Sequence, residues 1–207
     1  PRNASLHIAF SEQSFARGAA LTAKRADTRR VASRAQSTPV QAYGRQIDVC
    51  IVLGSRSDLP IAEKCVKVMK DFGIRYELRI ASAHRAPKYL ESIVGAAEAD
   101  GCKVFIGMAG VAAALPGVLA SMTGRPVIGV PCGGKVPYDS LLSIVQMPPG
   151  MPVATVGTDR GDNAGVLAVQ ILATSDPGLA HRFSAYRTDM TEKVIADDRA
   201  TTAEYGM

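Results

Sequence analysis

The sequence predicts a three-layer α/β/α protein built on a doubly wound parallel sheet of about five strands, with an extra C-terminal helix. Three observations lead to this fold class. Short, continuously apolar segments recur along the chain, as expected for strands buried on both faces of a sheet. A turn containing Gly or Ser follows most of them, and a segment with helical apolar spacing comes next. Because βαβ crossovers are right-handed, this alternation places helices on both faces of a parallel sheet.

The predicted elements follow one another with short connections. The first helix begins at Ser57 or Asp58, either of which can cap it, and ends before Gly73, a residue suited to the left-handed C′ position. The predicted strands cover residues 48–53, 76–80, 104–106, 127–130 and 153–156. The other predicted helices cover residues 87–99, 115–122, 138–145 and 163–172, and one more helix within the last 30 residues ends in a frayed tail.

Length and composition limit the function classes. A chain of 207 residues accommodates one domain and an extension, here predicted as a leader (1–46), a catalytic domain (47–190) and a helix end with tail (191–207). With 47% hydrophobic and 21% charged residues, the chain is typical of folded proteins rather than disordered or fibrous ones. No apolar run reaches the roughly 20 residues of a membrane span, so no membrane partner is predicted.

Positive charge is concentrated in the leader. Residues 1–46 contain eight Lys and Arg against two Asp and Glu, whereas the rest contains 16 against 17. The near-neutral remainder argues against a nucleic-acid partner. The Arg-, Ser- and Ala-rich, acid-poor leader predicts an organelle transit peptide, with a plastid favoured over a mitochondrion. A disordered basic tail on a cytoplasmic protein is the alternative.

The cysteines and histidines show no metal-binding spacing. None of the cysteines forms a C-x-x-C pair, and each lies among apolar neighbours, which predicts small core residues in a reducing compartment. The three histidines are scattered singly, so no metal site is predicted. The cysteines are Cys50, Cys65, Cys102 and Cys132.

Three loops that follow strands are expected to carry the chemistry, because ligands of doubly wound sheets bind beyond the carboxyl ends of the strands. In the first loop (residues 54–58), the hydroxyls of Ser55 and Ser57 and the backbone N–H groups at a helix N-terminus suit a phosphate. A carboxylate would repel that phosphate, so Asp58 is predicted to meet sugar hydroxyls or to cap the helix. A capping turn without a ligand is the alternative.

The second loop adds an imidazole and a cation, and the third loop lets a ligand come close to the backbone. The second loop (residues 81–87) holds His84, which can exchange a proton at neutral pH, and Arg85, which can bind phosphate. The third loop (residues 107–117) consists almost entirely of small residues, which let a flat ligand approach the backbone. A structural histidine and tight helix–sheet packing are the respective alternatives. The absence of Gly-x-Gly-x-x-Gly argues against a dinucleotide fold.

Taken together, the loop motifs resemble a known family. Four motifs occur in the order found in the phosphoribosylaminoimidazole carboxylases of purine synthesis. They are Gly-Ser-x-Ser-Asp, Ser-Ala-His-Arg-x-Pro, the small-residue loop ending in Leu-Pro-Gly, and the segment 143–153. The resemblance covers about residues 47–190. Ser-Ala-His-Arg is similar to the microbial and plant type, the N5-carboxyaminoimidazole ribonucleotide mutases. The animal type carboxylates aminoimidazole ribonucleotide directly with CO2 and usually has Lys after the His.

The resemblance implies a flavodoxin-like fold and a function. The enzyme would move a carboxyl group from N5 to C4 of the imidazole by releasing CO2, holding it in the third loop and recapturing it, with His84 as general acid and base. It implies no metal or organic cofactor, and a homo-octamer in which the 146–148 segment lies near a neighbour's site. The substrate-binding residues it implies are Ser55, Ser57, Asp58, Ser82, Arg85, Ala109, Gly110 and Leu115.

One departure from the family pattern leaves alternatives open. The microbial enzymes commonly read Gly-Gly-Ala-Ala-His-Leu-Pro-Gly in the third loop, and Ala114 stands here in place of that His. Three explanations of Ala114 are open. The enzyme does not need this His, a neighbouring subunit supplies the contact that the His would make, or the substrate is a different one. Direct carboxylation of aminoimidazole ribonucleotide, a carboxylase of another nucleotide, a flavin mononucleotide module and an inactive paralogue are the competing hypotheses.

Overall fold

The computed structural model describes residues 44–206, and the predicted leader, including His7, lies almost wholly outside the described residues. These residues form one five-stranded sheet in which every neighbouring pair of strands is parallel, in the order β2-β1-β3-β4-β5. This order is that of the flavodoxin-like doubly wound sheet, and it confirms the predicted fold class. The strands are β1 (Val49–Leu53), β2 (Tyr76–Ile80), β3 (Val104–Gly110), β4 (Val127–Cys132) and β5 (Ala154–Thr155).

The helices cover both faces of the sheet. Buried side chains of α1, α5 and α6 pack with Val49, Ile51 and Leu53 on one face, and those of α2, α3 and α4 pack with Cys50 and Val52 on the other. This two-sided burial explains why the segments 49–53, 104–110 and 127–132 are apolar without alternation, whereas the edge segment 76–80 contains Glu77 and Arg79. The helices are α1 (Leu59–Asp71), α2 (Pro87–Ala99), α3 (Leu115–Met122), α4 (Pro137–Val145), α5 (Gly161–Ala173) and α6 (Pro177–Tyr205).

Element boundaries differ from the sequence prediction mainly at the strand ends. β3 and β4 extend as far as Gly110 and Cys132, which lie opposite each other in the sheet. A Cβ atom on Gly110 would lie only 3.1 Å from the Cys132 carbonyl oxygen, so the absence of a side chain allows this late pairing. Two residues, rather than the predicted four, form the edge strand β5.

Helix α6 is longer than predicted and largely exposed. Its first turn is capped by the Asp176 carboxylate, which accepts the Leu179 N–H at 2.9 Å, and Leu179 is its only buried residue. Phe183 and Tyr186 pack on Phe72, the latter at a centroid distance of 5.4 Å. The helix continues to Tyr205, through the segment expected to be a frayed tail.

The prediction that the cysteines are core residues is confirmed. All four are buried and unoxidised, and burial raises the pKa of the thiols of Cys65, Cys102 and Cys132 to about 12. Thiols held so far from ionisation at neutral pH are poor nucleophiles. No helix within residues 44–206 has the length and apolar character to cross a bilayer.

Candidate active site

The three loops chosen from the sequence meet at the carboxyl edge of the sheet and enclose a cleft of about 400 Å³. This convergence follows from the strand order, because β1 lies between β2 and β3 and brings the loops after all three strands together. The nine predicted site residues all line the cleft, and they are Ser55, Ser57, Asp58, Ser82, His84, Arg85, Ala109, Gly110 and Leu115. Gly54, Ala83, Val111, Ala112 and Ala114 complete the lining.

The first loop forms a single 3₁₀ turn (Arg56–Asp58) that leads into α1. The cap of this turn is Ser55, whose Oγ accepts the Ser57 N–H at 3.4 Å. Asp58 is the N-cap residue of α1, one of the two positions predicted, but its side chain makes no capping bond to that helix. Asp58 instead points back and accepts the Ser55 N–H at 3.0 Å. This reciprocal pair is a capping box, and it keeps two hydroxyls and a carboxylate together at the cleft.

Asp58 is the buried charge of the site. Its side chain is 7% exposed and accepts a second hydrogen bond from the Ser57 hydroxyl at 3.3 Å. Burial raises the pKa of Asp58, while the bonds donated by Ser55 and Ser57 and by the Cys132 thiol oppose that rise. A carboxylate held in this way can accept hydrogen bonds from the hydroxyls of a sugar.

The second loop places a cation and an imidazole at the mouth of the cleft. The Ser82 hydroxyl accepts two bonds from Arg85, one from the backbone N–H and one from Nε, both at 3.3 Å. Arg85 also donates through Nη2 to the Gly54 carbonyl at 3.4 Å, and so links the second loop to the first. His84 and Arg85 are both exposed to solvent. Arg85 is therefore oriented by its neighbours and remains accessible to an anion.

The third loop forms the wall opposite. It contains Val111, a β-branched residue in the left-handed region (φ 58°) whose side chain is 68% exposed. Such a conformation costs on the order of 1–3 kcal/mol and is found mainly at functional sites. Ala114 occupies the N-cap position of α3 without a side-chain cap, and it lines the cleft where the family pattern has His.

Some site features have no signal in the sequence. The conformation of Val111 is one, since nothing in an Ala-rich loop indicates a left-handed residue. The bond from Arg85 to the Gly54 carbonyl is another, because it depends on the lateral order of the strands. Gln146 and Met147, expected near a neighbour's site, follow α4, and the Met147 sulfur lies 3.0 Å from where a Gly117 Cβ would be.

Fold and cleft together define a class of protein: a flavodoxin-like α/β protein with a small-molecule site at the carboxyl edge of its sheet. Within that class the assignment is specific. Residues 48–193 match the family model described as AIR carboxylase, and the chain belongs to this family.

Relatives of known name support the assignment. The chain is 55% identical over 151 residues to the N5-carboxyaminoimidazole ribonucleotide mutase of Methanocaldococcus jannaschii, a match that covers 72% of this chain and 94% of the relative. It is 45% identical over 148 residues to a Vigna aconitifolia protein named phosphoribosylaminoimidazole carboxylase, chloroplastic, covering 70% of this chain and 27% of that protein. This chain therefore spans about a quarter of the plant relative.

Solved structures show the same fold. The crystal structure of Treponema denticola PurE matches with a TM-score of 0.68 and 30% identity, over 77% of this chain and 98% of that one. The crystal structure of a substituted form of Treponema denticola PurE2 matches with a TM-score of 0.69 and 29% identity, over 78% of this chain and 99% of that one.

Proposed function

We propose that this protein is an enzyme of purine synthesis that converts N5-carboxyaminoimidazole ribonucleotide to 4-carboxy-5-aminoimidazole ribonucleotide. The observation that carries the proposal is the cleft itself. In it, one imidazole, one oriented guanidinium and one buried carboxylate from two loops face a wall of small residues. The membership of the AIR carboxylase family and the mutase names of its relatives support the same reaction.

The polar side chains divide into two groups that suit the two ends of a ribotide. The guanidinium of Arg85 and the hydroxyls of Ser55 and Ser57 suit the phosphate, and the Asp58 carboxylate accepts from the ribose hydroxyls. The imidazole of the substrate then lies between His84 and the third loop. There the methyl group of Ala109 and the bare backbone of Gly110 leave room for a carboxyl group.

The proposed reaction is an isomerisation in which His84 moves one proton. The bond between N5 and the carboxyl carbon breaks, CO2 is released into the cleft, and the nitrogen takes a proton. C4 then attacks CO2 to form the new C–C bond, and C4 gives up its proton. His84 donates in the first step and accepts in the second, so no net proton is consumed. The small-residue wall leaves room for CO2 beside C4.

Direct carboxylation of aminoimidazole ribonucleotide is the second candidate, because Ala114 replaces a residue that the mutases commonly carry. Rates measured side by side decide between them: N5-carboxyaminoimidazole ribonucleotide at low bicarbonate, against aminoimidazole ribonucleotide with high bicarbonate. A fast rate with the first substrate is expected. Activity only with the second would identify a direct carboxylase, and activity with neither would contradict both.

Replacing Arg85 with Ala is expected to weaken ribotide binding. A charge-assisted bond to phosphate contributes about 1.5–3 kcal/mol, so KM should rise roughly 10- to 100-fold with a much smaller change in kcat. Steady-state kinetics of this variant and a control test the expectation. Arg125→Ala is the matched control, since Arg125 is an exposed arginine beside β4 that does not line the cleft. A fall in kcat at unchanged KM for Arg85→Ala would contradict the assignment of Arg85 to phosphate binding.

We further propose that the protein works as a homo-oligomer, with an octamer as the expected size. Exposed apolar side chains on α4 support this, notably Tyr138 (76% exposed), Leu142 (50%) and Val145 (47%). Light scattering during gel filtration measures the mass of the assembly. A monomer at micromolar concentration would contradict the proposal.

Import into a plastid is proposed for the basic leader, residues 1–46. The support is its composition, rich in Arg, Ser and Ala and poor in acids, whereas most of the named relatives are microbial. A fusion of residues 1–46 to a fluorescent protein, observed in plant cells, tests the location. Fluorescence in mitochondria or cytosol would contradict a plastid address.

A further inference from the structure

The end of β4 lies directly beside the third loop. Its last residue, Cys132, is paired in the sheet with Gly110, the cleft residue that ends β3. The two strands are close here, since a Cβ on Gly110 would lie 3.1 Å from the Cys132 carbonyl oxygen. Val111, with its left-handed backbone, follows Gly110 immediately. The position of the β4 end therefore constrains the position of the third loop.

Strand β5 is too short to pair with this end of β4. The pairing covers Ile128 and Gly129 and stops before Pro131, with one further bond from the Val156 N–H to the Gly129 carbonyl at 3.0 Å. Residues 131–133 are nevertheless buried. Because buried backbone polar groups need hydrogen-bond partners, the side of β4 away from β3 requires partners other than β5.

Asp159, in the loop between β5 and α5, provides those partners. Its N–H donates to the Pro131 carbonyl at 2.9 Å, and its carboxylate Oδ1 accepts the Gly133 N–H at 2.9 Å. The backbone groups of successive strand residues point to opposite sides of the strand. Pro131 and Gly133 therefore face Asp159, and the residue between them faces β3. One residue thus holds β4 on the side opposite the third loop.

Asp159 is itself held in place. Lys64 Nζ on α1 donates to the Asp159 carbonyl at 3.2 Å. Asp159 has φ 59°, a left-handed conformation that Asp and Asn adopt more readily than most other side chains. The carboxylate also fits closely, because a Cβ on Gly133 would lie 2.9 Å from Asp159 Oδ2. Strained residues persist where the surrounding contacts fix them, and they cluster at functional sites.

We propose that Asp159 is a positioning residue for the reaction: it fixes the end of β4 and so holds Gly110 and Val111 where C4 of the imidazole can recapture CO2. This inference rests on the proposed function for the identity of the reacting group, whereas the contacts that define it lie within the protein. The residues assigned to phosphate and sugar lie on the other two loops. A displaced third loop should therefore change the fate of CO2 more than the affinity for the ribotide.

Escape of CO2 is the expected consequence of losing the Asp159 carboxylate. The bond between N5 and the carboxyl carbon breaks, and N5 takes a proton from His84, as in the full reaction. When CO2 then leaves the cleft, the products are aminoimidazole ribonucleotide and CO2, and His84 regains its proton from water. The fraction of turnovers that end in this way does not depend on the amount of folded enzyme. A loss of stability alone leaves that fraction unchanged.

The kinetic test compares Asp159→Gly with Asp159→Asn in the full chain, with N5-carboxyaminoimidazole ribonucleotide as substrate. Gly keeps the left-handed backbone without the acceptor. The fraction released as aminoimidazole ribonucleotide, corrected for the rate without enzyme, should rise at least about threefold. The kcat for the C4-carboxylated product should fall about tenfold while KM changes less than about twofold. Asn keeps an acceptor oxygen and should behave like wild type.

Asp176→Gly is the matched control. The Asp176 carboxylate also accepts a backbone N–H at 2.9 Å, but it does so at the start of α6 and does not line the cleft. Its loss should leave the released fraction at the wild-type value. Asp159→Ala removes the same acceptor as Asp159→Gly and should give the same changes, so the test does not depend on one variant. Circular dichroism confirms that each variant is folded.

Amide hydrogen exchange gives a readout that needs no substrate. Exchange in residues 107–117 should accelerate in Asp159→Gly and stay at the wild-type rate in Asp159→Asn and Asp176→Gly. An unchanged released fraction, or unchanged exchange, in Asp159→Gly would overturn the inference while leaving the reaction intact. If the wild type converts no N5-carboxyaminoimidazole ribonucleotide, the proposed function fails, and the exchange data alone decide whether Asp159 positions the third loop.

Discussion

His84→Asn is expected to reduce turnover by on the order of 10²–10⁴-fold while ribotide affinity changes little, because Asn cannot exchange a proton at neutral pH. The substitution should lower kcat rather than affinity, since the polar groups assigned to phosphate and sugar binding lie on other residues. These are Ser55, Ser57, Asp58 and Arg85. Rates with N5-carboxyaminoimidazole ribonucleotide, together with calorimetric titration of the ribotide, measure the two quantities separately.

The chain offers a matched control for this variant. His181 lies on the exposed surface of α6 and does not line the cleft, so His181→Asn should retain the wild-type rate. A near-normal rate for His84→Asn would contradict its role as general acid and base. A loss of ribotide affinity equal to the loss of rate would assign His84 to binding instead.

Gly161→Ala is expected to destabilise the protein by about 3 kcal/mol, because overpacking forces backbone to move. Gly161 begins α5, and a Cβ there would overlap the Ile61 carbonyl oxygen of α1. Gly165, one turn later on the same face, would place its Cβ 2.9 Å from Val68 Cβ. The two glycines allow α5 to lie against α1. For a chain of this size the loss corresponds to a fall in Tm of about 6–12 °C.

Gly95→Ala is the control, because Gly95 lies inside α2 and a Cβ there meets nothing within 4 Å. Ala is the better helix former by about 0.5–1 kcal/mol, so this variant should be neutral or slightly stabilised. Thermal melting of both variants followed by circular dichroism measures the contrast. Equal Tm values would show that α1 and α5 separate without cost and that the close approach is unimportant.

Much of the fold follows from local pattern. Five strands were predicted within a few residues of their observed bounds, and the three central strands β1, β3 and β4 gave continuous apolar runs because strands buried on both faces have no polar side to interrupt the run. Gly73 was predicted at the end of α1 and has φ 65°. The N-cap position of α1 was predicted at Ser57 or Asp58 and is Asp58, but the Asp58 side chain bonds to the Ser55 N–H of the preceding 3₁₀ turn instead of capping α1, which only the three-dimensional arrangement decides.

The fold class was predictable from the pattern of the sequence, and nine of the residues that line the cleft were predictable from the loop motifs and their resemblance to a known family. Most of these residues lie in loops directly after a strand or at the helix start that follows, and Ala109 and Gly110 are the last residues of β3, so all are at the edge where the parallel strands end. Tertiary structure decided what surrounds them. Arg85 reaches the Gly54 carbonyl, and Asp159 reaches the Gly133 N–H at the end of β4, through contacts between residues 31 and 26 positions apart. Such contacts leave no periodic signal, because they depend on strand order and on how close the loops lie.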